Sequence, residues 1–180
     1  MITRPGSHKP ASRSMSYAEY PTNNPHSSEL VGLIQEDLRR NGFALLRDMP
    51  FDTQDIEKTK AQFLSFCQQL GEPIPHNHSA DSLVWSIRSM PYSESKFVTH
   101  SERNSEAELH TDSAFSENPE DFFCLFVVTK AECGGGESLL LSASNLLKEI
   151  RKSPDGERFE HLLRTKNYPF LIPTVFRKNL

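Results

Sequence analysis

FFCLFVVTKAECGGGESLLLS, residues 122–142, decides how the chain is read. Two apolar runs, FFCLFVVTK (122–130) and SLLLS (138–142), flank the glycine turn ECGGGE (132–137). Apolar segments of this length around a glycine cluster predict two strands joined by a hairpin-like reversal. Upstream, LVWSIR (83–88) and FALLR (43–47) read as further strands, and ELHTDSAF (108–115) as a strand-like stretch. Helical spacing dominates elsewhere. Ser28 caps a helix over about 29–41, with Leu30, Val31, Ile34 and Leu38 on one face, and Asn41-Gly42 ends it. Asp52 or Thr53 opens a second helix to about Leu70, carrying Ile56, Phe63, Phe66, Cys67 and Leu70; Gly71 ends it and Pro73 prevents resumption. Ser144 caps a third through about Arg151, and a fourth covers roughly 155–165. NYPFLIPTVFRKNL (167–180) is extended and broken by proline. Helices come first and strands later, so the expected class is mostly β with flanking helices (α+β), with a sheet that reads as unfinished.

The 180 residues suggest one domain. A hydrophobic fraction of 36% is low for a globular chain, and residues 1–28 account for part of the deficit: four prolines among many Ser, Asn and His, with almost no aliphatic residues. This predicts a flexible N-terminal tail over 1–28, and a folded portion over 29–180. A net charge of −4 argues against a general nucleic-acid binder. Cys67, Cys124 and Cys133 form no CxxC; Cys67 and Cys124 fall among apolar residues and read as small buried hydrophobes. The pattern fits a reducing compartment, hence the cytoplasm. No apolar run reaches the length of a membrane span, and no secretory signal is visible.

ELHTDSAF carries the chemistry. Residues two apart on a strand point to one side, so His110 and Asp112 can face a common point. An imidazole nitrogen and a carboxylate oxygen on one face can chelate a divalent metal. Two histidines and one carboxylate form the facial triad of non-haem iron oxygenases, which leaves positions open for a co-substrate and oxygen. HxD alone is equally a surface His-Asp pair. Glu102, Glu106 and Glu108 lie just before it, and they either steer a cationic substrate group or form a solvated loop.

The order of features resembles the taurine dioxygenase-like (TauD/TfdA) family of iron(II)- and 2-oxoglutarate-dependent oxygenases. The matching pieces are NGFALLRDMP (41–50), QQLGEPIP (68–75), ELHTDSAF with NPEDFFCLFVV (118–128), and CGGGESLLLSASNLL (133–147). The resemblance implies a double-stranded β-helix, a jelly-roll of the clavaminate synthase-like type with helices packed on one side. It implies that His110 and Asp112 are two iron ligands. Ser138 matches the hydroxyl position that helps hold 2-oxoglutarate, although it also reads as an ordinary strand-start serine. The implied reaction couples decarboxylation of 2-oxoglutarate, to succinate and carbon dioxide, to removal of hydrogen from an unactivated C–H bond of a small molecule by O2. Related halogenases have a small residue where Asp112 stands, so hydroxylation or a similar oxidation is expected, on a small polar metabolite such as an amino acid.

The family pattern also needs a distal histidine, and an arginine to pair with the far carboxylate of 2-oxoglutarate. Downstream of Asp112 the single histidine is His161, on a predicted helix. Arg164 and Arg177 do not follow a distal histidine. His76, His78 and His100 are the upstream candidates for a third ligand. The expectation is therefore an incomplete jelly-roll: a truncated oxygenase, half of a split enzyme completed by a partner chain or by self-association, or a non-catalytic barrel fragment that associates with a partner. A zinc module built from His76, His78, His100 and His110 is a further alternative.

Overall fold

Ser27, not Ser28, starts the first helix. The computed structural model describes residue 20 and residues 23–75, 82–88, 107–114, 119–132 and 136–169. The chain divides into two units, Met1–Pro50 and Phe51–Leu180.

In the first unit the Ser27 hydroxyl accepts the Leu30 N–H at 3.2 Å and opens α1, Ser28–Asn41. Glu29 lies in the first turn and Arg39 and Arg40 in the last, each complementing the helix dipole. Both arginines also bond Glu36, at 2.7 and 2.8 Å. Gly42 ends the helix at φ 79°, where a side chain would be strained, and its N–H closes onto the Leu38 carbonyl at 2.9 Å. Leu30 and Ile34, one turn apart, are the buried pair of the expected face. The Tyr20 hydroxyl donates to the Asp37 carboxylate; partial burial, then this bond, push the phenol above its usual range.

In the second unit α2 covers Ile56–Cys67. It starts later than Asp52 or Thr53 because Asp55 is the better cap: its carboxylate accepts the N–H groups of Glu57 and Lys58 at 3.0 and 3.1 Å. Asp52 is instead stitched to the side of the helix. Its N–H donates to Gln62 Oε1 at 2.8 Å, its carboxylate binds Lys58 Nζ at 2.8 Å, and its carbonyl receives the buried Thr59 hydroxyl. Phe66 is buried, and Phe51 packs edge-on against Phe63 and Phe126, with ring centroids 6.4 and 5.1 Å apart. α2 gives way at Cys67 to a turn, with Gln69 and Leu70 bonding back to Phe66 and Cys67.

The last two helices are α3, Ala143–Arg151, and α4, Gly156–Thr165, packed against each other. Ser142 rather than Ser144 stands at the start of α3, and their hydroxyls lie 3.0 Å apart. Gly156 is buried, and an added Cβ would collide with the Ile150 carbonyl and the Arg151 backbone, so only glycine fits. The pair is tied by Arg151, which grips Glu160 through two bonds of 2.5 and 2.6 Å, while Arg164 adds a third at 2.9 Å. These guanidinium bonds, Arg151 first, hold Glu160 down at about 2, against an ordinary 4.5. A depressed carboxyl stabilises the fold above its unfolded value and loses that contribution as pH falls through its folded value. Amide exchange protection over 143–165 is therefore expected to weaken as pH falls from 4.5 toward 2. Glu160→Gln should show the weakened state at neutral pH and lack this acid step.

The mostly-β expectation and the jelly-roll are not met: the described residues hold four helices and no strand. Residues 43–47, 83–88, 122–130 and 138–142 carry the apolar patterns of strands but are extended or bent without a ladder. A strand exists only through a paired neighbour, which no local pattern supplies. In 122–126 the aromatic face of α2 takes Phe126 by side-chain packing instead. Phe123, Leu125 and Val127 are left 69%, 57% and 64% exposed.

Candidate functional site

Residues 107–114 form a loop that turns at 112–114, not a strand, and Ser113 takes φ 49°. The His-Asp juxtaposition expected of a strand is nevertheless present. His110 Nε2 and Asp112 Oδ1 are 3.5 Å apart, on side chains 58% and 65% exposed. His110 Nδ1 lies 2.7 Å from the Glu108 carbonyl. A carbonyl only accepts, so Nδ1 carries the proton. In the neutral ring Nε2 then presents a lone pair, aimed at a carboxylate that also only accepts. Nε2 and the carboxylate thus present two lone-pair donors 3.5 Å apart, open to solvent or to a cation.

Donor chemistry and spacing suit a metal in two positions. Imidazole nitrogen and carboxylate oxygen are the donors of a non-haem iron site. Two donors bound side by side through bonds of about 2.1 Å lie roughly 3 Å apart, close to the separation found. The Nδ1–H···O=C bond is the outer contact that fixes the tautomer of a ligating histidine. Among the described residues no group of three His, Cys, Asp or Glu could hold a metal.

Ser138 is exposed, two residues after Gly136 and outside any helix. Gly136 takes φ 80°, and a Cβ added there would lie 3.5 Å from that of Ala131. Among the described residues no hydrogen bond or ion pair joins Ser138 to His110 or Asp112. His161 is exposed on α4, and Arg164 is engaged by Glu160. His76, His78, His100, Glu102, Glu106, Cys133 and Arg177 lie outside the described residues.

Two features escaped the sequence reading. Glu108 contributes its backbone carbonyl, a role that residue type does not signal. Cys67 and Cys124 are not two buried hydrophobes: Cys67 is half-buried and Cys124 exposed, and each thiol shifts the other's ionisation. The spacing of apolar residues around them was the available signal.

The family model described as taurine catabolism dioxygenase TauD, TfdA family matches residues 5–176, and the chain belongs to that family. The family's enzymes are dioxygenases that use iron(II) and 2-oxoglutarate on small molecules with O2, so membership points to an oxidoreductase of that kind. No curated protein and no solved structure matches the chain. Among the described residues no helix is long and apolar enough to cross a membrane.

Proposed function

We propose that the chain is an iron(II)- and 2-oxoglutarate-dependent oxygenase that hydroxylates or otherwise oxidises an unactivated C–H bond of a small polar metabolite such as an amino acid. His110 and Asp112 are the iron ligands in this reading, and Ser138 helps to hold 2-oxoglutarate. The observation that carries it is the bond from His110 Nδ1 to the Glu108 carbonyl, which leaves Nε2 facing the Asp112 carboxylate at 3.5 Å. Family membership supplies the chemistry: iron(II) with 2-oxoglutarate activates O2 for the oxidation.

The protein's own part is to position and to select. The Glu108 carbonyl holds one tautomer of His110 and so presents Nε2. Asp112 supplies the anionic donor. The Ser138 hydroxyl offers a hydrogen bond to a carboxylate of the co-substrate. The carboxylate at 112 occupies a ligand position, which favours hydroxylation over halogenation.

The test is succinate formation from 2-oxoglutarate across a panel of amino acids and small carboxylates. Turnover that requires both iron(II) and O2, and that rises with at least one panel member, is expected. Folded, iron-supplied protein that forms no succinate with any of them would overturn the reading.

A second reading, a non-catalytic chain that acts by associating with a partner, is favoured by one observation. Phe123, Leu125 and Val127, with Leu139, Leu140 and Leu141, are all at least half exposed. Self-association through this surface gives a molar mass in light scattering above that of one chain, and a concentration-independent monomer would exclude it.

A further inference from the structure

Segment 122–126 runs antiparallel to α2 in matched register. Phe126 packs on Phe63, ring centroids 5.8 Å apart. Phe122 lies against Gly71, where an added Cβ would meet its ring at 3.9 Å. Phe63, Cys67 and Gly71 are successive positions four apart; Phe126, Cys124 and Phe122 are successive positions two apart. From Phe63 to Cys67 α2 rises about 6 Å, and two residues of extended chain, Phe126 to Cys124, span about 7 Å, so the two cysteines fall at matching heights. The midpoints are Cys67 and Cys124, close enough that each thiol shifts the other's ionisation. Both are free, and Cys124 is exposed.

The two sulfurs differ. Cys67 closes α2, where the carbonyl end of the helix disfavours an anion. Its S–H donates to Cys124, which brings the Cys124 thiol down to about 7; the same bond, then burial, pushes the Cys67 thiol up. Cys124 is thus the thiolate and Cys67 the proton holder.

We propose that Cys67 and Cys124 form a peroxide-sensitive dithiol, a modification site at which Cys124 is oxidised first and Cys67 resolves it to an intramolecular disulfide. The Cys124 thiolate attacks one oxygen of hydrogen peroxide. The O–O bond breaks, hydroxide leaves and takes up the proton that Cys124 released to solvent on ionising, and Cys124 becomes a sulfenic acid. The Cys67 sulfur, giving its proton to the departing hydroxyl, attacks the Cys124 sulfur; the S–O bond breaks and water leaves. Two thiols and one peroxide yield one disulfide and two waters, the sulfurs being oxidised and the peroxide reduced. The crosslink closes residues 67–124 into a loop that contains His110 and Asp112. The inference stands whether or not the chain is an oxygenase.

Trypsin places the three cysteines on separate peptides, 61–88, 104–130 and 131–148. The reduced full chain is treated with one equivalent of hydrogen peroxide, alkylated, digested and weighed. The expected product is 61–88 linked to 104–130, lighter by two hydrogens, with 131–148 alkylated. In Cys67→Ser, a cyclic dione should capture Cys124 sulfenic acid at a level at least about tenfold above wild type. In Cys124→Ser, peroxide consumption should fall by about the same factor. Three results would each overturn the proposal: links through Cys133, both thiols intact at peroxide levels that oxidise free cysteine, or Cys124 sulfenic acid accumulating in wild type beside an alkylatable Cys67.

Discussion

Iron(II) affinity falls at least ~100-fold in His110→Ala and in Asp112→Ala, the largest effect expected of any single substitution in this chain. The reason is the donor count. In the proposed site these residues are the two protein donors, and they lie 3.5 Å apart. Losing either leaves one donor on an exposed loop, where water competes on equal terms. Competition with a chromogenic chelator under anaerobic conditions measures the loss. His161→Ala, exposed on α4, should bind iron as wild type does. Ser138→Ala should likewise keep iron affinity, yet weaken 2-oxoglutarate about tenfold, the worth of one hydrogen bond to a charged group. Equal iron affinity in His110→Ala and wild type would remove the histidine from the site.

Phe66→Ala destabilises the Phe51–Leu180 unit by about 3–5 kcal/mol. Phe66 is 5% exposed, and its ring lies 6.2 Å from Phe51, which also meets Phe63 and Phe126. Truncation removes apolar area and an aromatic pair worth about 0.5–1.5 kcal/mol beyond that area. Because Phe126 is held by this cluster, segment 122–126 is expected to release as well. Urea unfolding gives the loss in stability, and amide exchange at 122–126 reads the release. Phe66→Leu, which keeps most of the volume, should cost less than half as much. A Phe66→Ala protein as stable as wild type would show that the cluster does not hold this unit together.

The helices were legible because their signals are local. Leu30 and Ile34 one turn apart, Gly42 at the end of α1, and the Phe63–Phe66–Cys67 face of α2 each lie within a few residues. Cap positions moved by one to three residues, since Ser27 and Asp55 outcompete their neighbours for the free N–H groups. Strands were misread for the opposite reason. FFCLFVVTK has the composition of a strand, but pairing is decided by a distant segment, and α2 engages 122–126 through side chains. Half of the candidate site was proposed from HTD, because residue type signals metal chemistry. The local setting was misjudged: His110 and Asp112 come within 3.5 Å of each other on a loop, not on a strand. The Glu108 carbonyl was illegible, since every residue carries one.

The most direct measurement is an anaerobic titration of the protein with iron(II) and 2-oxoglutarate, watching the visible metal-to-ligand charge-transfer band. A saturable band in wild type, absent in His110→Ala and Asp112→Ala, is the expected result. A folded wild-type chain that develops no band, or a band that survives in both variants, would contradict iron and 2-oxoglutarate binding at this pair.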